Sequence, residues 1–425
     1  MTKFLRIIAR VLIVIVIVLI IVVQAALFYS EKIDLKTGRS ISQCTGVLDS
    51  TYLPSIIQSR LVIKSMMETC ELPALSVAIS SKGKLIWSEA LGYSDLESAK
   101  QACPDNIFRI GSISKTLTAA ALMRVAEKHK IGLYDDIRMI LPEYPDKGFP
   151  ITPIQLATHA AGIRPYRDDS EAITTLQFNS AIESVQRFRD DPLIFPPGTG
   201  FEYSNYGYVL LSAVMEKACG KNFPDIMNEE IFNPLGMRST SPEINDSTNA
   251  WLCTFYDNVT PYSLDGRINK SPYINHSSKW ASGGFLSTAE DLIKFSDAID
   301  NQFLNPKSVS LMFQAHTSQV ILHYGMGWMI ARDPYLRKAY FHFGAGSGAT
   351  SLIVKYPAYD FDMAILSNLG HAKFPYSHLI VIINQFLPRP VNWIFYSFDI
   401  LMLIGIAWAV RKKFRTKQSK GNYLG

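Results

Sequence analysis

The sequence predicts an α+β protein: an antiparallel sheet built from both ends of one domain and flanked by helices, with a mainly helical region inserted and a transmembrane helix at each end of the chain. Three observations point there. Strand-like runs occur early, at residues 75–80 and 85–92, and again late, at 340–343, 350–355 and 362–367. Helical patterns and Pro- and Gly-punctuated loops fill the interval, and strands at both ends with helices between them form one sheet with an insertion. Two apolar runs with basic flanks lie outside all of these.

The ends come first. A chain of 425 residues with 48% apolar and 19% charged residues buries a substantial core, which excludes disordered, collagen-like and heptad-repeat classes. Its net charge of +5 is unevenly spread: nine of the 42 basic residues lie in positions 1–10 and 411–425, where no acid occurs. The rest carries 33 basic against 37 acidic residues, so no nucleic-acid partner is expected, because such a protein is basic on its folded face. Residues 11–29 contain only Gln24 as a strongly polar group; as a helix they cover about 28 Å, close to the hydrocarbon thickness of a bilayer. Lys3, Arg6 and Arg10 precede them and hold that end in the cytoplasm. The alternative is a cleaved signal peptide, whose apolar region is usually about 7–15 residues, and only Val23-Gln24-Ala25 comes near a cleavage site.

Residues 393–410 form the second run, interrupted by Asp399 and followed by Arg411-Lys412-Lys413. Trp393, Phe395, Tyr396 and Phe398 crowd its start like an interfacial belt; an amphipathic or core helix is the alternative. The expected division is 1–30 cytoplasmic stub and transmembrane helix, 31–60 linker, 61–388 folded domain, 391–410 second transmembrane helix and 411–425 basic cytoplasmic tail. The lipid bilayer is then a partner, both termini are cytoplasmic, and the domain is extracytoplasmic, periplasmic or extracellular.

Within the domain, Lys82-Gly83 supplies the tight turn between the two early strands. Residues 114–130 read as a helix, with Leu117, Ala121 and Val125 recurring along one face. A second helix over 205–218 stops at Gly220. After the late strands comes an apolar helix near 378–386, closed by Pro388 and Pro390. Five cysteines (Cys44, Cys70, Cys103, Cys219, Cys253) show no C-x-x-C pair; outside the cytoplasm one or two disulfides could form, and the pairing stays open. Eight histidines lack metal-ligand spacing, so neither a metal nor a cofactor is expected.

The chemistry concentrates in three short segments. In Ser112-Ile113-Ser114-Lys115, a helix opening at Ser112 puts the lysine three residues on, where its amine reaches the hydroxyl. Serine is a weak nucleophile that needs such a base, and desolvation or a second cation lowers a lysine pKa toward neutrality. The same pattern at Ser81–Lys84 falls in the hairpin turn and is discarded. Tyr203-Ser204-Asn205 starts the second helix: a phenol can shuttle protons, and the amide can bind a substrate carbonyl or hold Lys115. Tyr273-Ile274-Asn275 repeats the letters in a polar loop. His342-Phe343-Gly344 runs into Ala345-Gly346-Ser347-Gly348, small residues that let a substrate approach a strand, and the Ala345 N–H could complete an oxyanion hole with that of Ser112. His323-Tyr324-Gly325 is a rival copy without the glycine-rich continuation.

In this order the segments resemble the penicillin-recognising serine hydrolases: class C β-lactamases, D-alanyl-D-alanine carboxypeptidases, and related esterases and peptidases. Surrounding phrases are similar too, among them Phe108-Arg109-Ile110-Gly111, Ile151-Thr152-Pro153, His159-Ala160-Ala161-Gly162, Ala281-Ser282-Gly283-Gly284 and Tyr324-Gly325-Met326-Gly327-Trp328, and the likeness covers about 72–386. The resemblance implies a β-lactamase/DD-peptidase-like fold and an acyl-enzyme on Ser112, with Lys115 as activator and Tyr203 as proton shuttle, either of them the formal base. Asn205, His342, Gly344 and Ala345 would bind substrate or the oxyanion. Expected substrates are small molecules or peptides cleaved at an amide, peptide or ester bond. Two departures stand out: His342 replaces the lysine of class C enzymes and would be only partly cationic near neutral pH, and Phe343 replaces a hydroxyl residue that helps bind a substrate carboxylate. Efficient β-lactam hydrolysis is therefore not expected. The alternatives are a carboxypeptidase or β-lactamase acting on peptidoglycan or β-lactams, and a silent peptidoglycan- or partner-binding descendant. The oligomeric state is not legible.

Overall fold

The structure, a computed structural model, describes residues 41–244, 249–258, 268–318 and 322–389. Both proposed membrane segments lie outside the described residues; among those described, no helix is long and apolar enough to cross a membrane.

Among the described residues the chain forms two units, 332–337 with 376–389, and the rest of those between 41 and 375. In the larger unit, β1 (Gln43–Leu48), β2 (Ala74–Ser81) and β3 (Lys84–Asp95) join six later strands: β4 (Thr317–Ser318), β5 (His323–Tyr324), β6 (Met329–Arg332), β7 (Lys338–Gly346), β8 (Ala349–Tyr356) and β9 (Phe361–Ser367). The order is β1-β3-β2-β9-β8-β7-β6-β5-β4, with Lys100–Gln101 pairing onto β3. The early and late strand groups meet where β9 pairs antiparallel with β2, Ile365 opposite Val77. The expected sheet from both ends is therefore the one observed. The hairpin turn also lies where expected: Lys82 and Gly83 both have positive φ, 54° and 69°, the twist that matches paired strands.

Residues 43–60 are folded rather than a linker. Their strand β1 covers the edge of β3, and α1 (Leu53–Thr69) buries Ile56, Val62, Ile63 and Met66. An exposed edge strand invites pairing with other chains, and covering it removes that hazard. Cys44 on β1 is joined to Cys103 by a disulfide, while Cys70, Cys219 and Cys253 are free.

Between the strand groups lie the central helix α2 (Ser114–Glu127), the short α3 (Pro153–Ala157), α4 (Asn205–Cys219), the single turn α5 (Trp280–Gly283) and α6 (Ala289–Ala298). The sequence suggests one apolar face for α2, but every residue from Ser114 to Met123 is buried. Its polar residues are accommodated by back-bonding: Thr116 Oγ1 donates to the Ile113 carbonyl at 2.8 Å and Thr118 Oγ1 to that of Ser114 at 2.9 Å. Helix α4 ends where predicted, with Gly220 in the left-handed region at φ 66°. In the smaller unit, α7 (Tyr376–Asn384) carries Asn384, whose Oδ1 accepts from Arg337 Nη2 at 2.8 Å; Arg337 Nε donates to Asp333 at 2.6 Å.

Candidate active site

Ser112 does not open the α-helix. It sits in a 3-10 turn, Gly111–Ile113, immediately before α2. Gly111 has φ 50°, and a Cβ there would stand 2.9 Å from the Ala345 amide nitrogen, so only glycine lets the turn lie against β7. Gly344 is required on the other side, because a Cβ would collide with the Ile110 carbonyl oxygen and Ser351 Oγ. These two glycines bring the Ser112 turn against the strand that bears Ala345.

The tighter turn still delivers the expected reach. Lys115 Nζ lies 3.1 Å from Ser112 Oγ, donates to Asn205 Oδ1 at 2.7 Å and donates to the Ser282 carbonyl at 2.5 Å. Asn205 is placed by its neighbour: Ser204 caps α4 by accepting from the Gly207 N–H at 3.0 Å and itself donates to the Arg164 carbonyl at 2.7 Å. Lys115 is fully buried. Burial, and secondarily the positive charge of Lys279, holds its pKa well below that of an ordinary lysine. Among the described residues its ammonium would face an amide oxygen, a backbone carbonyl and a serine hydroxyl, and no carboxylate.

Tyr203 is half-buried, its ring 4.7 Å from Lys115 Nζ. Burial pushes its phenol up, and the Ser112 hydroxyl is the group that opposes this. His342 is buried on β7 and bonded at both ring nitrogens: Nδ1 at 2.7 Å to the Phe343 carbonyl and Nε2 at 3.0 Å to Tyr324 Oη. A carbonyl only accepts, so Nδ1 carries the proton and Nε2 accepts from the phenol. Burial first, then Lys115, drives His342 down to about 3. The expectation of a partly cationic His342 is corrected: a desolvated imidazole beside another base stays neutral. Phe343, the next residue on the strand, is 40% exposed, and it stacks edge-on with Phe341 at 5.6 Å.

The structure thus brings Ser112, Lys115, Tyr203, Asn205, His342, Gly344 and Ala345 together. Ser112, Asn205 and Ala345 line a cleft of about 340 Å³. It also recruits residues the motifs did not single out. Tyr324, in the rival H-x-G copy, is the partner of His342. His159 has φ 61° and accepts from the Ser204 N–H through Nδ1 at 3.1 Å, which fixes the segment that bears Tyr203 and Asn205. The phrase around it now has a reason: Thr152 and Gln155 form a reciprocal capping box that starts α3, which ends just before His159. Lys279 and Ser282 belong to the site through the α5 turn. Among the described residues no cluster of His, Cys, Asp or Glu is arranged to hold a metal. The arrangement can deprotonate a serine hydroxyl beside two backbone N–H groups.

Comparison with known proteins agrees. The family described as Beta-lactamase matches residues 60–382. Serine beta-lactamase-like protein LACTB, mitochondrial, of Homo sapiens is 30% identical, over 58% of this chain and 57% of that protein. The chain therefore spans little more than half the length of that relative. Penicillin-binding protein 4* of Bacillus subtilis (strain 168) is 26% identical over 69% of this chain and 67% of its own. Two solved structures share the fold. The octameric penicillin-binding protein homologue from Pyrococcus abyssi has TM-score 0.65 at 23% identity, covering 82% of this chain and 77% of its own. D-amino acid amidase from Ochrobactrum anthropi SV3 has TM-score 0.66 at 21% identity, covering 77% and 98%. With the family match running through most of its length and the three sequence motifs converging on one cleft, the chain belongs to the Beta-lactamase family of serine hydrolases.

Proposed function

We propose that this protein is a membrane-anchored serine hydrolase that cleaves an amide, peptide or ester bond through an acyl-enzyme on Ser112. The observation that carries this reading is the 3.1 Å approach of a fully buried, carboxylate-free Lys115 to Ser112 Oγ. A neutral amine has two N–H groups and one lone pair. The two obligate acceptors, Asn205 Oδ1 and the Ser282 carbonyl, take the N–H groups, and the lone pair is left for the Ser112 proton.

In that mechanism the Ser112 proton passes to Lys115 Nζ as Oγ bonds to the substrate carbonyl carbon. The carbonyl oxygen becomes an oxyanion received by the N–H groups of Ser112 and Ala345. Collapse breaks the bond to the leaving group, which takes the proton back from Lys115 by way of the Tyr203 hydroxyl. Water then attacks the acyl carbon, gives its proton to the same pair, and releases the acid with Ser112 restored. Tyr203, with its raised pKa, acts as a relay and Lys115 as the base. His342 orients through Tyr324 rather than through charge.

A neutral His342 and a hydroxyl-free Phe343 leave β7 without a group for a carboxylate beside the scissile bond, so β-lactams and D-Ala-D-Ala ends fit poorly. The Cys44–Cys103 disulfide supports an oxidising, extracytoplasmic location for the domain, in keeping with anchoring by residues 11–29 and 393–410. The test is labelling by a fluorophosphonate and a panel of peptide, ester and β-lactam substrates, with Ser112→Ala as blank. Capture at Ser112 with turnover of an ester or amide is expected. Silence toward every probe would leave a binding protein instead.

A further inference from the structure

The cleft that reaches Ser112 is lined on one side by the end of β7 and Ser347 and on another by a wall of residues from 272–283, ending in α5. The β7 wall has no cation to offer. The opposite wall carries Lys279, half-buried, whose Nζ donates to the Ala172 carbonyl at 2.6 Å and, among the described residues, forms no ion pair.

Two of the nearby carboxylates are engaged elsewhere. Glu243 holds Arg109, receiving Nη2 at 2.7 Å and Nε at 2.9 Å, and lies 3.4 Å from His276 Nε2. Asp257 accepts from Ser347 Oγ at 2.5 Å and from the Gly348 N–H at 2.9 Å. Asp169 lies at the rim on an exposed turn. Burial, with Arg109 and Arg187, pushes Lys279 down to about 8, opposed by Glu243. An ammonium withdrawn from water without a counter-charge is costly, and such a group in a cleft is characteristic of functional sites.

Lys279 is also built into the catalytic frame. Its carbonyl accepts from the N–H groups of Ser282 at 3.0 Å and Gly283 at 2.9 Å, forming the turn whose Ser282 carbonyl receives Lys115. A ligand on Lys279 is therefore held at a fixed offset from the serine.

The geometry points to Lys279 as the anchor of an anion subsite in the Ser112 cleft, so that the substrate is an ester or amide carrying a carboxylate that reaches the 272–283 wall. This rests on the hydrolase reading above and supplies the substrate class that reading leaves open.

Three esters test it on the whole protein: neutral 4-nitrophenyl butyrate, mono(4-nitrophenyl) glutarate with its acid on the acyl arm, and 4-butyryloxybenzoate with its acid on the leaving arm. Each is scored by turnover and by the concentration that halves the rate of Ser112 labelling with a neutral fluorophosphonate. One acidic ester is expected to act at about tenfold lower concentration than the neutral one, the size of a charge-assisted contact. That ratio should fall to about one in Lys279→Met and return in Lys279→Arg, and 0.5 M salt should weaken it. Labelled protein with no preference for either acidic ester, or with a preference unchanged in Lys279→Met, overturns the subsite alone. Protein that fluorophosphonate never labels overturns the hydrolase reading, and the subsite with it.

Discussion

Among the described residues two lysines are buried, and they are treated in opposite ways. Lys355 on β8 faces Asp362, its cross-strand partner on β9, with Nζ 3.1 Å from Oδ2 and 3.1 Å from the Ser296 carbonyl. Lys115 is equally hidden but meets an amide oxygen, a backbone carbonyl and a serine hydroxyl. The sheet neutralises its buried cation with a carboxylate; the cleft withholds one. Burial alone therefore does not mark a chemical lysine, and the partner set does. A carboxylate at Asn205 would restore the ammonium and remove the base.

The largest effect that could break this contrast comes from Lys115 itself. Lys115→Arg keeps the positive charge but cannot lose its proton. It should reduce ester or amide turnover by about a thousandfold, as expected for loss of a general base, in an assay normalised to folded protein. An arginine variant within tenfold of wild type would show that the charge, not the lone pair, is what matters.

Next in size is the sheet pair. Asp362→Asn removes the carboxylate that Lys355 faces and should cost about 3 kcal/mol of unfolding free energy, read in urea, with turnover per folded molecule unchanged. Equal losses of activity and stability would mean that the two regions are not separable.

A smaller effect concerns pH. His342 titrates at about 3 in the folded chain and near 6.5 when unfolded. Between those values the unfolded chain binds more protons, so stability is complete above about pH 6.5 and is lost as pH falls toward 3, by an amount on the order of a few kcal/mol. Urea midpoints from pH 7 to 4 should show this slope, and His342→Gln should flatten it. His159 and His276, also buried and held well below the ordinary histidine value, contribute in the same sense.

The smallest expected change sharpens substrate choice. Phe343→Thr returns a hydroxyl to β7 and should raise hydrolysis of a chromogenic cephalosporin a few-fold, measured against Ser112→Ala. No gain would place the barrier to β-lactams elsewhere than in that side chain.

Much of the site was legible because its members are short local patterns. Three-residue spacing put Lys115 within reach of Ser112 even though the turn is 3-10 and not α. Glycine at 220 marked the end of α4. Other features were illegible because they depend on distant segments meeting. Nothing local distinguishes Tyr324 as the partner of His342, nor Lys279 as a charge acting on Lys115. The near-complete burial of α2 also escaped the periodicity, since alanines and threonines show no polar face to contradict it.

The sequence by itself determined the strands on either side of the helical region and the helices that carry the motifs, and which hydroxyl, amine and phenol are available, because turn chemistry, periodicity and side-chain type act over a few residues. Tertiary structure alone decided the protonation states. Whether Lys115 is a base, His342 neutral or Lys279 a surplus cation follows from desolvation and from partners up to 167 residues away along the chain, and no local pattern encodes that.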